Sequence, residues 1–218
     1  IAWLGPQIEW PAIWPPLAAW ERSAAASHAM RGGWLELAMP ESGSGWATVT
    51  RAYRWDGDTL LCRVSLASGA HAAQVMQIVQ VPAAAIVRVA RARPSAAAPA
   101  GFFVLRVGQQ DQVVREFDWP AHATREADGG LRWRPTGAVI KVGFAPQPLV
   151  ATIGAYELSV APAGETGAVV GEVDDGFTTQ LYLGREGVPF IELEQLSSRF
   201  AAGDEASATM RLSARRLP

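Results

Sequence analysis

The chain has 218 residues, 49% of them hydrophobic and 18% charged, with a mean hydropathy of +0.07. This is the balance of a folded globular chain, neither a disordered tail nor a membrane bundle, and its length suits one domain with a sizeable core. A formal net charge of -2 gives no electrostatic reason to expect nucleic acid or an anionic membrane as partner, and no uncharged apolar run reaches the roughly 18 residues a spanning helix needs.

The chain opens Ile-Ala-Trp rather than with Met, and its first residues carry neither a basic nor an apolar leader pattern. We therefore expect a segment upstream of Ile1, with a leader, and a periplasmic or secreted location; composition alone leaves the compartment open. The single cysteine, Cys62, excludes an intrachain disulfide and a thiolate zinc cluster. It shares its parity with Leu60, Val64 and Leu66 and reads as a small buried hydrophobe. Lys141 is the one lysine among 19 basic residues, a bias that reads as genomic composition.

Residues 5–20 read GPQIEWPAIWPPLAAW, with prolines at 6, 11, 15 and 16 spaced too closely for a helix. Trp3, Trp10, Trp14 and Trp20 gather in and beside this segment, so its rings either plug an edge of the core or line a ligand cleft. Residues 17–30, with Ala18, Ala19 and the run from Ala24 to Ala26, predict one short peripheral helix that Gly32-Gly33 ends. From Trp34 onward the apolar period becomes two. It predicts a dozen strands: 46–55, 60–66, 74–81, 86–89, 102–107, 113–117, 131–134, 139–144, 156–160, 177–183, 190–196 and 208–212.

Turn chemistry separates these runs, as in Ala161-Pro-Ala-Gly164, with Asp56-Gly57 and Asp128-Gly129 as hairpin signals. The Pro/Ala-rich stretch 93–100 reads as an excursion from one domain rather than a linker. Many strands without alternating helices predict an all-β fold, an antiparallel β-sandwich spanning 1–218 as a single domain. A βαβ nucleotide-binding fold is excluded, and neither GxGxxG nor GxxxxGK[ST] occurs.

Chemistry is sparse. His28, His71 and His122 lie more than forty residues apart, so we expect no metal site and no cofactor. No GxSxG elbow exists. Asp174-Asp175 reads as a solvated turn or as a contact to a cation or a sugar hydroxyl. The most informative segment is 190–196, FIELEQL. In a strand, Phe190, Glu192, Glu194 and Leu196 share one face and Ile191, Leu193 and Gln195 the other. On an outer face the two carboxylates are ordinary solvated alternation. On a concave face, crowding would raise one carboxyl pKa and make it a usable base. In 74–80, QVMQIVQ, amides interrupt an apolar run; buried amides need partners, and a sugar's hydroxyls are one possible set.

Three stretches carry a resemblance: GPQIEWPAIWPP near the start, RAYRWDGDTLLCRVSLASG from Arg51 to Gly69, and FIELEQLSSRFAAGDEASATMRL from Phe190 to Leu212. Together they resemble an uncharacterised bacterial domain family within the galactose-mutarotase-like, aldose 1-epimerase-like superfamily, over most of the chain from Trp3 to Leu212. The resemblance implies a supersandwich with a concave carbohydrate-accommodating face. Leu193-Glu194-Gln195 is similar to the closing strand whose carboxylate deprotonates the anomeric hydroxyl, which makes Glu194 the candidate base; a register shift of two would choose Glu192. Gly203 and Glu205 are similar to a structural Pro-Gly-Glu turn, with Ala202 replacing Pro. The superfamily's histidine acid has no counterpart in 74–81, and His71 precedes that strand at a turn. Without an acid, ring opening loses about two to four orders of magnitude.

The expectation is a carbohydrate-binding mutarotase-like domain with catalysis reduced or absent. In it Trp10 or Trp14 stacks on a pyranose, Arg51, Gln77 and Gln80 meet hydroxyls, and Glu194 accepts from the anomeric hydroxyl. One alternative is an aldose 1-epimerase-type enzyme with Glu194 as base and His122 or His28 as acid. Another is an interaction module of the cell envelope that uses the Trp-rich loop. The partner expected is a small-molecule or oligosaccharide ligand, with oligomeric state open.

Overall fold

The computed structural model describes residues 2–5, 24–39, 46–89, 103–107, 110–114, 123–127, 130–133, 140–171, 177–183, 189–203 and 205–218. Among them the regular structure is all strand: β1 (Ala2–Gly5), β2 (Ser27–Arg31), β3 (Trp34–Ala38), β4 (Trp46–Asp56), β5 (Thr59–Gly69), β6 (Ala73–Pro82), β7 (Ile86–Val89), β8 (Phe103–Val107) and β9 (Gln110–Val114). They continue with β10 (Ala123–Arg125), β11 (Leu131–Trp133), β12 (Ile140–Phe144), β13 (Leu149–Ile153), β14 (Tyr156–Thr166), β15 (Val169–Gly171), β16 (Thr179–Leu183), β17 (Phe190–Phe200) and β18 (Ala206–Arg216). One sheet runs β1-β6-β17-β16-β12-β8-β9 with β15 on β17, and the other runs β10-β11-β7-β13-β14-β18-β5-β4-β3-β2. Pairing is antiparallel, as in β4 with β5 from Trp46↔Gly69 to Asp56↔Thr59. The fold is the all-β antiparallel sandwich that the period of two predicts.

The residues gather into two compact units. The first comprises Ile1–Gln77, Ala163–Val173 and Leu196–Leu212; the second comprises Ile78–Pro162, Asp174–Gln195 and Ser213–Pro218. Alternation builds the core of the first. Val49 on β4 and Val64 and Leu66 on β5 join Ala2, Ala73, Val75, Phe200, Ala206 and Ala208 in one buried cluster, while their neighbours Thr48, Thr50, Arg63 and Ser65 take the opposite face. In the second unit Val87, Val89, Leu131, Trp133, Val142, Leu149, Leu181, Leu183, Ile191 and Leu193 are fully buried. Trp133 meets Phe144 edge to face, with ring centroids 5.9 Å apart.

The predicted helix is not formed where it is described: residues 27–30 belong to β2, which pairs with β3 from Ser27↔Ala38 to Arg31↔Trp34. Residues 17–23 lie outside the described residues. Gly32 and Gly33, read as a helix stop, have φ of 55° and 80° and form the two-residue turn of that hairpin. Positive φ at both central positions is the type I′ requirement, which glycine meets without strain, so cross-strand pairing overrides the alanine propensity.

The signal also failed where strands are short or polar. β1, β3, β10, β13 and β15 went unpredicted, and β9 begins earlier than expected because Gln110, Asp111 and Gln112 pair with Val107, Arg106 and Leu105. Pro162 and Gly164, read as a turn, lie inside β14, whose second half is largely exposed. Cys62 is a buried free thiol, as its parity implied.

Phe200 is fully buried within the first unit's core cluster. Phe200→Ala is therefore expected to lower unfolding free energy by about 3–5 kcal/mol in urea titration. A loss below about 1 kcal/mol would place the ring outside the core.

Candidate functional site

β17 lies between β6 and β16 in the eight-stranded sheet and is buried on both faces from Ile191 to Ser197. A central strand covered on both sides normally reads as a continuous apolar run. This one carries Glu192, Glu194 and Gln195, so each polar group needs an internal partner. Gln195 takes the face of Ile191 and Leu193. Its Oε1 accepts from Thr179 Oγ1 at 2.9 Å, and its Nε2 donates to the Val160 carbonyl at 3.2 Å. That amide serves the framework.

The opposite parity carries the chemistry. Register sets Glu192 across from Tyr182 and Glu194 across from Gln180 on β16, and Tyr182 in turn across from Lys141 on β12. Lys141 Nζ lies 2.6 Å from Glu194 Oε2, and the side chains are only 7% and 1% exposed. Breaking such a buried pair from one side strands an uncompensated charge, at a cost of about 3–5 kcal/mol. Gln80 Nε2 on β6 donates to Glu192 Oε1 at 2.9 Å. Gln80 is exposed and Tyr182 half-buried, so the cluster meets solvent at that end.

The two carboxylates sit in different electrostatic settings. Burial pushes the Glu192 pKa up to about 7, and the charge of Glu194 adds to the rise; the Gln80 hydrogen bond and the Lys141 charge oppose it. Glu194 has an ammonium at contact distance. One strand face thus holds a carboxylate paired with a cation beside one that is about half protonated at neutral pH, an arrangement suited to accepting and donating protons.

Of the residues singled out in the sequence, the structure brings together Glu192, Glu194 and Gln80. Gln77 projects from the other side of β6, where its Nε2 donates to the carbonyls of Cys62 at 3.1 Å and Ala208 at 3.3 Å. Gln74 likewise donates to the Ser197 carbonyl at 2.9 Å, so main-chain acceptors occupy two of the three amides of 74–80, among them Gln77, read as a hydroxyl contact. Arg51 lies on β4, in the other sheet, and its Nη2 reaches the Ala2 carbonyl at 3.5 Å. His28 is exposed on β2, and His71 is exposed just ahead of β6. Trp10, Trp14, His122 and the Asp174-Asp175 pair lie outside the described residues.

Sequence reasoning missed Lys141, Tyr182 and Gln180. The available signal was Lys141 itself, the one lysine in the chain, in an otherwise apolar strand.

The elevated Glu192 pKa makes stability depend on pH. In the unfolded chain this carboxyl ionises near 4.5, whereas in the fold it holds its proton to about 7. The neutral form therefore favours the fold below 4.5, and that contribution is lost as pH rises through the interval up to 7. The loss is on the order of 3 kcal/mol. Glu192→Gln should abolish this part of the pH dependence and raise the melting temperature at pH 8 more than at pH 4. Equal shifts at the two pH values would show that Glu192 titrates normally.

No family model and no curated sequence matches the chain. Solved structures do. A protein of Escherichia coli K12 named as an aldose 1-epimerase superposes with a TM-score of 0.55 at 12% identity, over 89% of this chain and 68% of its own. A protein of Synechocystis sp. PCC 6803 gives 0.50 at 8% identity, over 88% of this chain and 65% of its own. A galactose mutarotase related enzyme of Lactobacillus acidophilus gives 0.48 at 5% identity, over 88% of this chain and 70% of its own. The chain therefore spans about two thirds of the length of these structures and has the galactose-mutarotase-like fold.

Proposed function

We propose that the Glu192–Glu194 face of the second unit is a carbohydrate-binding site. The observation that carries this reading is the polar cluster itself. Two carboxylates and the ammonium of Lys141 are buried on one sheet face, where apolar side chains of similar volume would commonly serve stability as well or better. Gln80, exposed and bonded to Glu192, is the cluster's contact with solvent, and its amide with the carboxylates behind it suits a dense set of hydroxyls. The fold shared with a protein named as an aldose 1-epimerase supports the same ligand class.

A second reading, aldose 1-epimerase-type catalysis, is favoured by the different settings of the two carboxyls. Interconverting anomers through the open chain needs a base and an acid. Glu194, paired with Lys141, would take the proton of the anomeric hydroxyl as the bond from the anomeric carbon to the ring oxygen breaks. Glu192 would give its proton to that ring oxygen. Ring closure on the other face of the carbonyl returns the proton from Glu194 to the new hydroxyl and the ring-oxygen proton to Glu192. Glu192 would thereby supply what the absent strand histidine supplies in the enzymes this sequence resembles, with a pKa near the neutral optimum for such a role.

Both readings are tested on freshly dissolved glucose and galactose. Binding predicts that tens of millimolar sugar shifts tryptophan fluorescence or melting temperature in the wild type and not in Glu194→Gln. Catalysis further predicts accelerated mutarotation by polarimetry, abolished in Glu194→Gln and reduced about 100-fold or more in Glu192→Gln. A perturbation that survives Glu194→Gln unchanged would remove this face as the binding site, and equal mutarotation rates for all three proteins would remove the enzymatic reading.

A further inference from the structure

The first unit contains an open cavity of about 560 Å³ that the reading above does not use. β3, β4, β5 and β18 are successive neighbours in the ten-stranded sheet. Core alternation turns Val49 and Val64 into the buried cluster and leaves Thr48, Thr50, Arg63, Ser65 and Ala67, of the opposite parity, among the residues that line the cavity. Thr50 and Ser65 stand directly across from each other, as do Thr48 and Ala67. With Thr166 and Ser207, whose hydroxyls are 2.8 Å apart, they present five hydroxyl groups to one groove.

A polar face alone is what any one-sided antiparallel sheet shows. Three features distinguish this one. It is concave, and its volume lies in the usual range for small-molecule sites of about 300–1,000 Å³. One charge is fixed in place: the guanidinium of Arg63 lies 4.3 Å above the Trp34 ring centroid, and its Nη2 donates to Glu36 Oε1 at 3.2 Å. Holding the arginine by stacking and by an ion pair removes rotamer entropy that a ligand would otherwise have to overcome. The far wall is also close-packed. Gly167, at φ +122°, lies against β18 so tightly that a Cβ there would come within 2.8 Å of Ala206 Cβ.

The lining specifies the ligand chemistry. Among the described lining residues Arg31 and Arg63 are balanced by Glu36 and Glu205, which favours a neutral ligand over an anion or a cation. Among the described residues the ring beside it, Trp34, already carries the guanidinium groups of Arg54 and Arg63 at 4.7 and 4.3 Å. Of the described groups, hydroxyls and paired charges that both donate and accept are therefore what the groove offers a ligand. We infer that this groove binds a neutral oligosaccharide through hydroxyl contacts, as a site separate from the carboxylate face and independent of it.

The experiment is a proton–nitrogen NMR titration with maltotriose and cellotriose on the wild type and on Ser65→Tyr and Thr50→Tyr, each of which fills the groove floor. Reading the amides one by one distinguishes the groove from the carboxylate face. The expected result is triose-induced shifts at Thr48, Gly167 and Ser207 in the wild type that fall at least fivefold in both variants, whatever the shifts at Glu192 and Glu194. If one groove variant fails to fold, the other decides. The inference is overturned if neither triose shifts the groove amides of the wild type, or if those shifts survive in a folded groove variant. Shifts confined to Glu192 and Glu194 would leave the carboxylate face standing as the sugar site.

Discussion

A carboxylate that is 1% exposed cannot remain charged inside a protein without a counterion, and the Lys141 ammonium 2.6 Å from Glu194 supplies it. The rest of the candidate site depends on that contact. It compensates the charge of Glu194, and that charge is one of the two causes that lift the pKa of Glu192. Surroundings alone thereby hold the Glu192 proton up to about pH 7, beside a carboxylate of the same kind that has an ammonium in contact.

The sheet makes this possible. A strand step of two residues keeps both carboxylates on one face, and antiparallel register brings Gln180, Tyr182 and Lys141 in from the adjoining strands. The same alternation sends Ile191 and Leu193 the other way, into full burial. The strand can therefore carry charge without forfeiting core, because Ile191 and Leu193 are buried on the face opposite the two carboxylates.

The architecture was legible in the sequence wherever one face was apolar and the other polar. In β5, Cys62, Val64 and Leu66 are buried and alternate with Arg63 and Ser65, and the pattern located the strand. It failed where pairing rather than burial holds the strand, as in β2, whose residues are mostly exposed and whose alanine-rich approach suggests a helix. Part of the candidate site was legible too. The spacing of Glu192 and Glu194 identified the face because parity is a local property. Lys141 was missed because its relation to Glu194 runs through β16, a cross-strand register that no single-sequence pattern encodes. Gln77 was assigned to hydroxyl contacts because a buried amide advertises its need for acceptors without naming them, and here main-chain carbonyls of β5 and β18 meet it.

The most direct test of the electrostatic account is a carbon-detected NMR titration of the Glu192 side-chain carboxyl in the wild type and in Glu194→Gln. The account predicts a midpoint near 7 in the wild type, shifted downward in the variant because the neighbouring negative charge is gone. A Glu192 midpoint close to the ordinary 4.5 in both proteins would contradict it.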